Sequence, residues 1–293
     1  MTDVFGVPLP ALMGQLTLGL INGAFYALLS LGLAVIFGLL NVVNFAHGAQ
    51  FTLGAFGAWM LLRYFHVPYW GALVLAPLGV GLIGVVLEKT LLRRLYGMSD
   101  LYQLLLTFGF ALVLEGLLAI VFGSSGLPYD NPMPGGINLG FMFLPYYRAW
   151  VVTFSIVVCA LTWYGVECTR LGAYLRAATE KPELVRAFGV NVPRMITLTY
   201  GLGVALAALA GVLAAPIDQV KPSMGSGLII TVFAVVVIGG MGSLFGAILT
   251  GFGLGMIEAL TKVYYPQGAS VAIFMIMTVV LLLKPSGLFG KTP

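Results

Sequence analysis

Apolar residues in this chain come in blocks long enough to cross a lipid bilayer. A spanning helix needs about 20 mostly apolar residues. Blocks near that length fall at 11–39, 45–64, 70–95, 102–123, 148–168, 195–215, 227–241, 243–262 and 269–284. The pattern predicts an all-α membrane protein, a polytopic helical bundle of about eight or nine transmembrane segments forming one membrane domain over residues 1–293. The count turns on two glycine-rich stretches, 41–57 and 239–255, where helices are expected to be broken or re-entrant.

The loops between the blocks differ sharply in polarity. Residues 167–194 carry eight charges (Glu167, Arg170, Arg176, Glu180, Lys181, Glu183, Arg186 and Arg194), although only 8% of the chain is charged and 60% is hydrophobic. About a quarter of an average soluble protein is charged, so an ordinary globular domain is excluded, and the hydrophobicity excludes a disordered chain. Topology accounts for the net charge of +4 better than a nucleic-acid partner does. Lys89, Arg93 and Arg94, the basic residues of loop 169–194, and Lys284 with Lys291 share one side if the number of segments is odd. The N-terminus is then outside and the C-terminus cytoplasmic. Loop 124–147 is extracytoplasmic and full of turn formers, and Tyr129, Tyr146, Tyr147 and Trp150 suit an interfacial aromatic belt. No basic n-region or small-residue cleavage site opens the sequence, so the first apolar block is expected to stay and span. Cys159 and Cys168 are nine residues apart on one predicted helix, about 13 Å of rise. That separation is too great for a disulfide.

Four groups of residues are candidates for function. Within the cytoplasmic loop 169–194, Pro182-Glu-Leu-Val-Arg-Ala-Phe188 reads as a short helix. Pro suits its first position, Glu183 the positive dipole end and Gly189 the C-cap, and Pro193 bars continuation. Leu184, Val185 and Phe188 form an apolar patch ringed by charge, which suits docking into a partner groove. A solvated loop obeying the positive-inside rule accounts for it equally well. The second group is Asn41, Asn44, His47, Gly48 and Gln50, polar residues between apolar stretches. They fit a helix break lining a solute path, or a turn in which Asn44 caps the next helix. The third, Gly239-Gly240-Met241-Gly242-Ser243 running on to Gly246, is an unwound pore-lining segment or a close-packing pattern for helices. A short echo, Gly48-x5-Gly54-Ala55 against Gly240-x5-Gly246-Ala247, links the two glycine-rich stretches. The fourth group is acidic. Glu258 has Lys262 one turn on, and Glu88 sits near a helix end beside Lys89. Glu115 has no sequence partner and is either an ion or proton site or the partner of another helix or subunit. No nucleotide loop, catalytic constellation or metal-ligand spacing is present.

Taken in order, several stretches resemble the LivH-type permeases, membrane subunits of ABC importers for branched-chain amino acids, in a family that also handles other hydrophobic amino acids, amides and urea. The resemblance is carried by Asn44-Phe-Ala-His-Gly48, Leu171-Gly-Ala-Tyr-Leu-Arg-Ala-Ala178 running into Lys181-Pro-Glu-Leu184, and Phe188-Gly-Val-Asn191. Ala210-Gly-Val-Leu213, Val237-Ile-Gly-Gly-Met-Gly-Ser243 and Lys284-Pro-Ser-Gly-Leu-Phe-Gly290 extend it, so that it covers residues 11 to 288. It implies that Thr179, Glu180, Lys181, Pro182, Glu183, Leu184, Arg186, Phe188 and Gly189 belong to a coupling helix docking on an ATPase. It also implies that 44–48 and 239–243, with Asn41 and Gln50, belong to the translocation path. The implied partners are a second, LivM-like permease, two LivG/LivF-like ATP-binding subunits holding ATP and Mg, and a periplasmic solute-binding protein delivering an amino acid. The implied setting is a bacterial inner membrane. The chain itself is expected to be no enzyme, to hold no cofactor or metal and to bind no nucleic acid. Two features depart from the pattern: only a loose relative of the wider Glu-Ala-Ala coupling motif is present, and Glu180-Lys181 stands where the family often has Asp-Asn. The alternatives are a permease of the same family for urea, short amides or aromatic acids, a proton-coupled secondary carrier using Glu115, and a passive channel for a small amide.

Overall fold

The structure is a computed structural model and describes residues 3–4, 6–40, 42–180 and 182–290. Asn41, Lys181 and Lys291 lie outside the described residues, as do the side chains of Thr179, Glu180 and Pro182. The helices are α1 (Leu9–Leu40), α2 (His47–Phe65), α3 (Tyr69–Thr90), α4 (Asp100–Phe122), α5 (Tyr146–Glu167), α6 (Arg170–Glu180), α7 (Pro182–Ala187), α8 (Val192–Ala214), α9 (Ser226–Gly239), α10 (Leu244–Tyr264) and α11 (Ala269–Leu283). Two antiparallel strand pairs complete the described chain: β1 (Asp3–Val4) with β2 (Val7–Pro8), and β3 (Gly136–Asn138) with β4 (Phe143–Pro145).

Among the described residues seven helical stretches are long and apolar enough to cross a membrane, namely α1, α3, α4, α5, α8, α10 and α11, the last counted with the 3-10 turn that precedes it as the 18 residues Pro266–Leu283. The nine apolar blocks therefore resolve into seven spans and two special helices, α2 and α9. At 14 residues, α9 rises only about 21 Å, too short for a hydrocarbon core of about 30 Å. The α2 helix opens on the polar run His47-Gly-Ala-Gln50-Phe-Thr52. The breaks are narrower than the glycine content suggests. Among the described residues the first covers 42–46 and the second 240–243, and 244–255 is regular helix. A non-helical stretch absent from the sequence reading precedes α9, at 216–225. Loop 169–194 is more helical than expected, because 170–180 forms α6.

Two helices hold the centre. The apolar windows of α1 and α8 are 72% and 78% buried, whereas that of α4 is 11% buried. Lipid tails are as apolar as leucine, so helices in a bilayer associate through close van der Waals contact rather than through the hydrophobic effect. Glycine permits that contact here. A Cβ on Gly251 of α10 would lie 2.5 Å from the Cα of Ala27 on α1. A Cβ on Gly54 of α2 or on Gly211 of α8 would fall on the facing helix's backbone.

The end of the bundle carrying loop 124–147 is locked by hydrogen bonds. The Tyr147 hydroxyl donates to Leu213 O at 2.8 Å and approaches the Tyr69 hydroxyl at 3.1 Å. Leu127 and Val220 exchange backbone hydrogen bonds of 2.8 and 3.0 Å. Tyr129 and Tyr147 are thus buried with Tyr69, at 9%, 1% and 4% exposure, and do not stand in an interfacial belt, whereas Tyr146 is exposed. The loop also contains the β3–β4 hairpin, which its turn formers conceal.

Gly54→Ala is expected to destabilise the protein by about 1–3 kcal/mol, overpacking outweighing alanine's helix-propensity gain of about 1 kcal/mol. Gly253→Ala, at a site with open space around the new methyl, is expected to be neutral or stabilising. Thermal unfolding of the two variants in one detergent checks this.

Candidate functional site

The break after α1 is built from side chains that answer the peptide groups it frees. Buried backbone N–H and C=O groups must be paired, most of all where no water is at hand. Asn44 Oδ1 accepts from the Ala46 N–H at 3.1 Å, and Thr107 Oγ1 on α4 accepts from the Phe45 N–H at 3.1 Å. Asn44 Nδ2 donates to Gln50 Oε1 at 3.0 Å, and Gln50 Nε2 donates to the Tyr200 hydroxyl on α8 at 3.3 Å. His47 Nε2 lies 3.0 Å from Leu29 O. Asn44, His47, Gln50 and Tyr200 are at most 2% exposed. Asn44, His47 and Gln50 are therefore brought together as expected, and most of their polar atoms answer one another or the backbone of the break, His47 Nδ1 being buried without a hydrogen-bond partner among the described residues.

A second polar cluster forms around a buried acid on α3. Glu88, 1% exposed, accepts from Thr197 Oγ1 on α8 at 2.7 Å and from the Tyr96 hydroxyl at 3.1 Å. Burial first, then the Glu88 charge, pushes the Tyr96 hydroxyl well above its ordinary pKa, which keeps it a donor. The sequence reading took Glu88 for a helix-end residue and missed Thr107, Thr197 and Tyr200. No spacing signal marks these four, since their partners are 62 or more residues away or, for Tyr96, beyond the helix end.

A second helix start meets the first. A Cβ on Gly48, in the first turn of α2, would lie 2.5 Å from Gly225 O, and one on Gly225 would fall on Gly48 O. The Gly225 N–H donates to Thr52 Oγ1 at 3.0 Å. The N-termini of α2 and α9 thus converge on one point, and Gly225, not Gly240, is the spatial counterpart of Gly48. The run Lys221-Pro-Ser-Met-Gly-Ser-Gly227, rich in turn formers between two apolar blocks, is the signal that could have found it. A cavity of about 160 Å³ adjoins the contact, lined by Phe45, Gly48, Thr52, Phe108, Glu115, Ser226 and Ile229 among others.

Residues Gly239, Gly240, Met241, Gly242 and Ser243 lie elsewhere. They turn the chain from α9 into α10 against the C-terminal segment, where Leu288 N donates to Ile238 O at 2.8 Å and Phe289 N to Gly239 O at 3.0 Å. Gly240 and Gly242 take positive φ of 104° and 91°, which glycine alone adopts freely. Ser243 Oγ caps α10 through the Gly246 N–H at 3.0 Å. Met241 is exposed, and this turn lines a separate cavity of about 300 Å³ with Glu167 and Arg176.

The charged loop is docked at its edges and bare in its middle. Arg176 on α6 donates to Val166 O at 2.7 Å and pairs with Glu167 at 3.2 Å. Val185 on α7 is 7% exposed and packs with Ala178 and Val192. Leu184 and Phe188 are 56% and 85% exposed. The expected three-residue patch is therefore a two-residue knob with Val185 as its root. Gly189 has φ +80° and donates to Arg186 O at 2.9 Å, ending the turn as expected of a C-cap. Glu183 and Arg186 are exposed. Of the acids, Glu258 binds Lys262 at 2.6 Å and accepts from the Tyr26 hydroxyl at 2.7 Å. Among the described residues no group of three or more acids, histidines or cysteines could hold a metal.

Seven apolar spans, two shorter helices meeting head to head and one exposed knob on a charged loop define a multi-pass membrane protein with an interrupted core. The family model for the permease component of branched-chain amino acid transport systems matches residues 15–283, and the chain belongs to that family. It is similar to the high-affinity branched-chain amino acid permease BraD of Pseudomonas aeruginosa, 30% identical over 94% of this chain and 95% of that one. It is also similar to LivH of Escherichia coli K12, 29% identical over 94% and 95%, and to a probable LivH of Methanocaldococcus jannaschii, 29% identical over 90% and 88%. The chain is thus a multi-pass permease component of an ABC importer and not an enzyme, ATP hydrolysis belonging to a separate subunit.

Gln50→Leu is expected to cost about 1–3 kcal/mol, because the buried Asn44 amide loses its acceptor. Tyr200→Phe, which leaves the Gln50–Asn44 bond in place, is expected to cost about 1 kcal/mol. Thermal unfolding in detergent ranks the two.

Proposed function

We propose that this permease carries branched-chain or other hydrophobic amino acids inward, as its relatives' names describe for them. It forms the pathway with a second, homologous permease. Two cytoplasmic ATPases, which hold the ATP and Mg, drive it, and a periplasmic binding protein delivers the solute. The knob of Leu184 and Phe188 carries this reading. An exposed phenylalanine on a short helix, ringed by Glu183 and Arg186 and rooted by Val185, is a feature that a partner groove covers. Thr179, Glu180, Lys181 and Pro182 complete the coupling segment in this reading. Family membership favours it over the secondary carrier and the passive channel.

Residues 1–293 act as one membrane domain. The N-terminus is outside and the C-terminus cytoplasmic, because the end bearing Arg93, Arg94, Arg170, Arg176, Arg186 and Arg194 holds most of the loop cations. The solute passes beside the convergence of the α2 and α9 N-termini, whose positive dipole ends suit a carboxylate. Asn44, His47 and Gln50 shape this stretch of the path from behind, Asn41 is assigned to the path with them, and the 239–243 turn lies toward its cytoplasmic end. ATP binding closes the ATPase pair, the coupling helix moves, and the pathway changes the side to which it opens, driven by ATP's differential affinity for the two states.

Leu184→Asp with Phe188→Asp is expected to abolish co-purification of the ATPase subunits and to reduce uptake at least tenfold, with insertion and thermal stability unchanged. The charge exchange Glu183→Lys with Arg186→Glu should act in the same direction. Capture of the ATPases and uptake at wild-type levels in both variants would sink the coupling assignment.

A further inference from the structure

Away from the helix ends marked by Asp100 and Glu167, three acids lie in the membrane helices, and two of them are matched within the chain. Glu258 has Lys262 and Tyr26, and Glu88 has Tyr96 and Thr197. Glu115, half-buried on α4, has no hydrogen-bond or ion-pair partner among the described residues. It lines the cavity of about 160 Å³ beside the α2–α9 convergence. Two other polar side chains share that wall and both are engaged. Thr52 bonds Gly48 O and the Gly225 N–H, and Ser226 donates to Ser223 O. The remaining wall is largely carbon, from Phe45, Phe108, Leu112 and Ile229.

An unanswered carboxylate facing hydrocarbon is costly, and such residues mark solute or ion sites. The chemistry of the wall narrows what answers this one. A calcium ion takes about six to eight oxygen ligands and magnesium a near-octahedral set, and this wall offers one free carboxylate. An organic ammonium needs one carboxylate and tolerates carbon around the rest of its molecule. The volume corresponds to about five waters at roughly 30 Å³ each. It is well below the roughly 300–1,000 Å³ of pockets for drug-sized ligands. Small size, one negative charge and an apolar surround together describe a short aliphatic molecule with an ammonium group.

We propose that Glu115 holds the ammonium group of the transported solute in this cavity, with the aliphatic side chain against Phe45, Phe108 and Leu112. The assignment rests on the amino-acid importer reading and gives it a specificity residue. Urea, short amides and acids lacking an ammonium leave the carboxylate unanswered and are disfavoured at this point of the path. Because Phe45 is part of the break and its N–H is held by Thr107 of α4, an occupant touches both the interrupted segment and the least buried helix.

The test uses the complete importer in proteoliposomes, with its binding protein loaded with radiolabelled leucine, and follows uptake, binding-protein-stimulated ATP hydrolysis and subunit recovery together. Glu115→Gln keeps the shape and removes the charge. Uptake should fall roughly tenfold or more, the worth of a hydrogen bond to a charged group, while hydrolysis and subunit recovery stay at wild-type levels. Glu115→Asp should recover part of the uptake. Ala111→Trp, which fills the cavity without touching the charge, should give the same separation of uptake from hydrolysis. Unchanged uptake in Glu115→Gln overturns the assignment. So does loss of the second permease from the complex, which would make Glu115 half of an intersubunit ion pair. A parallel fall of uptake and hydrolysis in an intact complex overturns it as well, because Glu115 would then act in coupling. A wild-type complex that takes up neither leucine nor any other hydrophobic amino acid refutes the amino-acid reading itself, and the Glu115 assignment falls with it.

Discussion

A chain that interrupts its helices inside hydrocarbon must satisfy every peptide group it frees, since no water is present to do so. Everything distinctive in this protein follows from how that is met. Asn44 turns back onto Ala46, Thr107 reaches from α4 to Phe45, and Thr52 reaches across to Gly225. The last contact ties the two interrupted regions into one structure, because the start of α9 takes its backbone partner from α2. Neither break can be moved without disturbing the other. Close approach of Gly48 and Gly225 makes this possible, since a methyl on either would collide with the other's carbonyl.

Around this point the bundle is rigid on one side and sparsely packed on the other. The α1–α10 and α2–α8 contacts are made backbone to backbone through glycine, with little room to slide. The α4 helix is different. Its polar tie to the rest is Thr107, and a long row from Leu101 through Leu105, Leu112 and Val113 to Ile120 is exposed. A helix with one polar tie and few packed neighbours is the element most easily displaced. It is also the helix that presents Glu115.

The sequence was legible where a single segment carries its own signal. Apolar block length gave the spans, Pro182 and Gly189 gave the ends of the short helix, and the i,i+4 spacing gave Glu258 with Lys262. It was illegible where the deciding partner is remote. Tyr147 looks like an interfacial aromatic until Leu213 and Tyr69 supply its hydrogen bonds. Glu88 looks like a helix-end charge until α8 folds Thr197 against it. The glycines of 244–255 suggested an unwound segment because close packing and chain breaking draw on the same residue, and composition does not separate the two. Val185 was grouped with Leu184 and Phe188 by hydropathy alone, although a helix six residues long turns neighbouring side chains in different directions.

For the proposed coupling, the contacts of α8 supply a route from the knob to the break. Val185 roots α7 on Val192, the first residue of α8, where Asn191 caps the helix through the Arg194 N–H. Along the same helix, Thr197 holds Glu88 and Tyr200 holds Gln50. Residues three apart lie on one helix face, so the buried acid and the break bear on one side of α8, while Val192 meets α7 at its first turn. A helix is stiff along its axis, and a small rotation or shift of α8 at Val192 changes the fit at Glu88 and Gln50 together. Buried polar contacts lose much of their value when misaligned. In the proposed coupling, an ATPase docked on the knob acts by favouring one arrangement of these contacts over another.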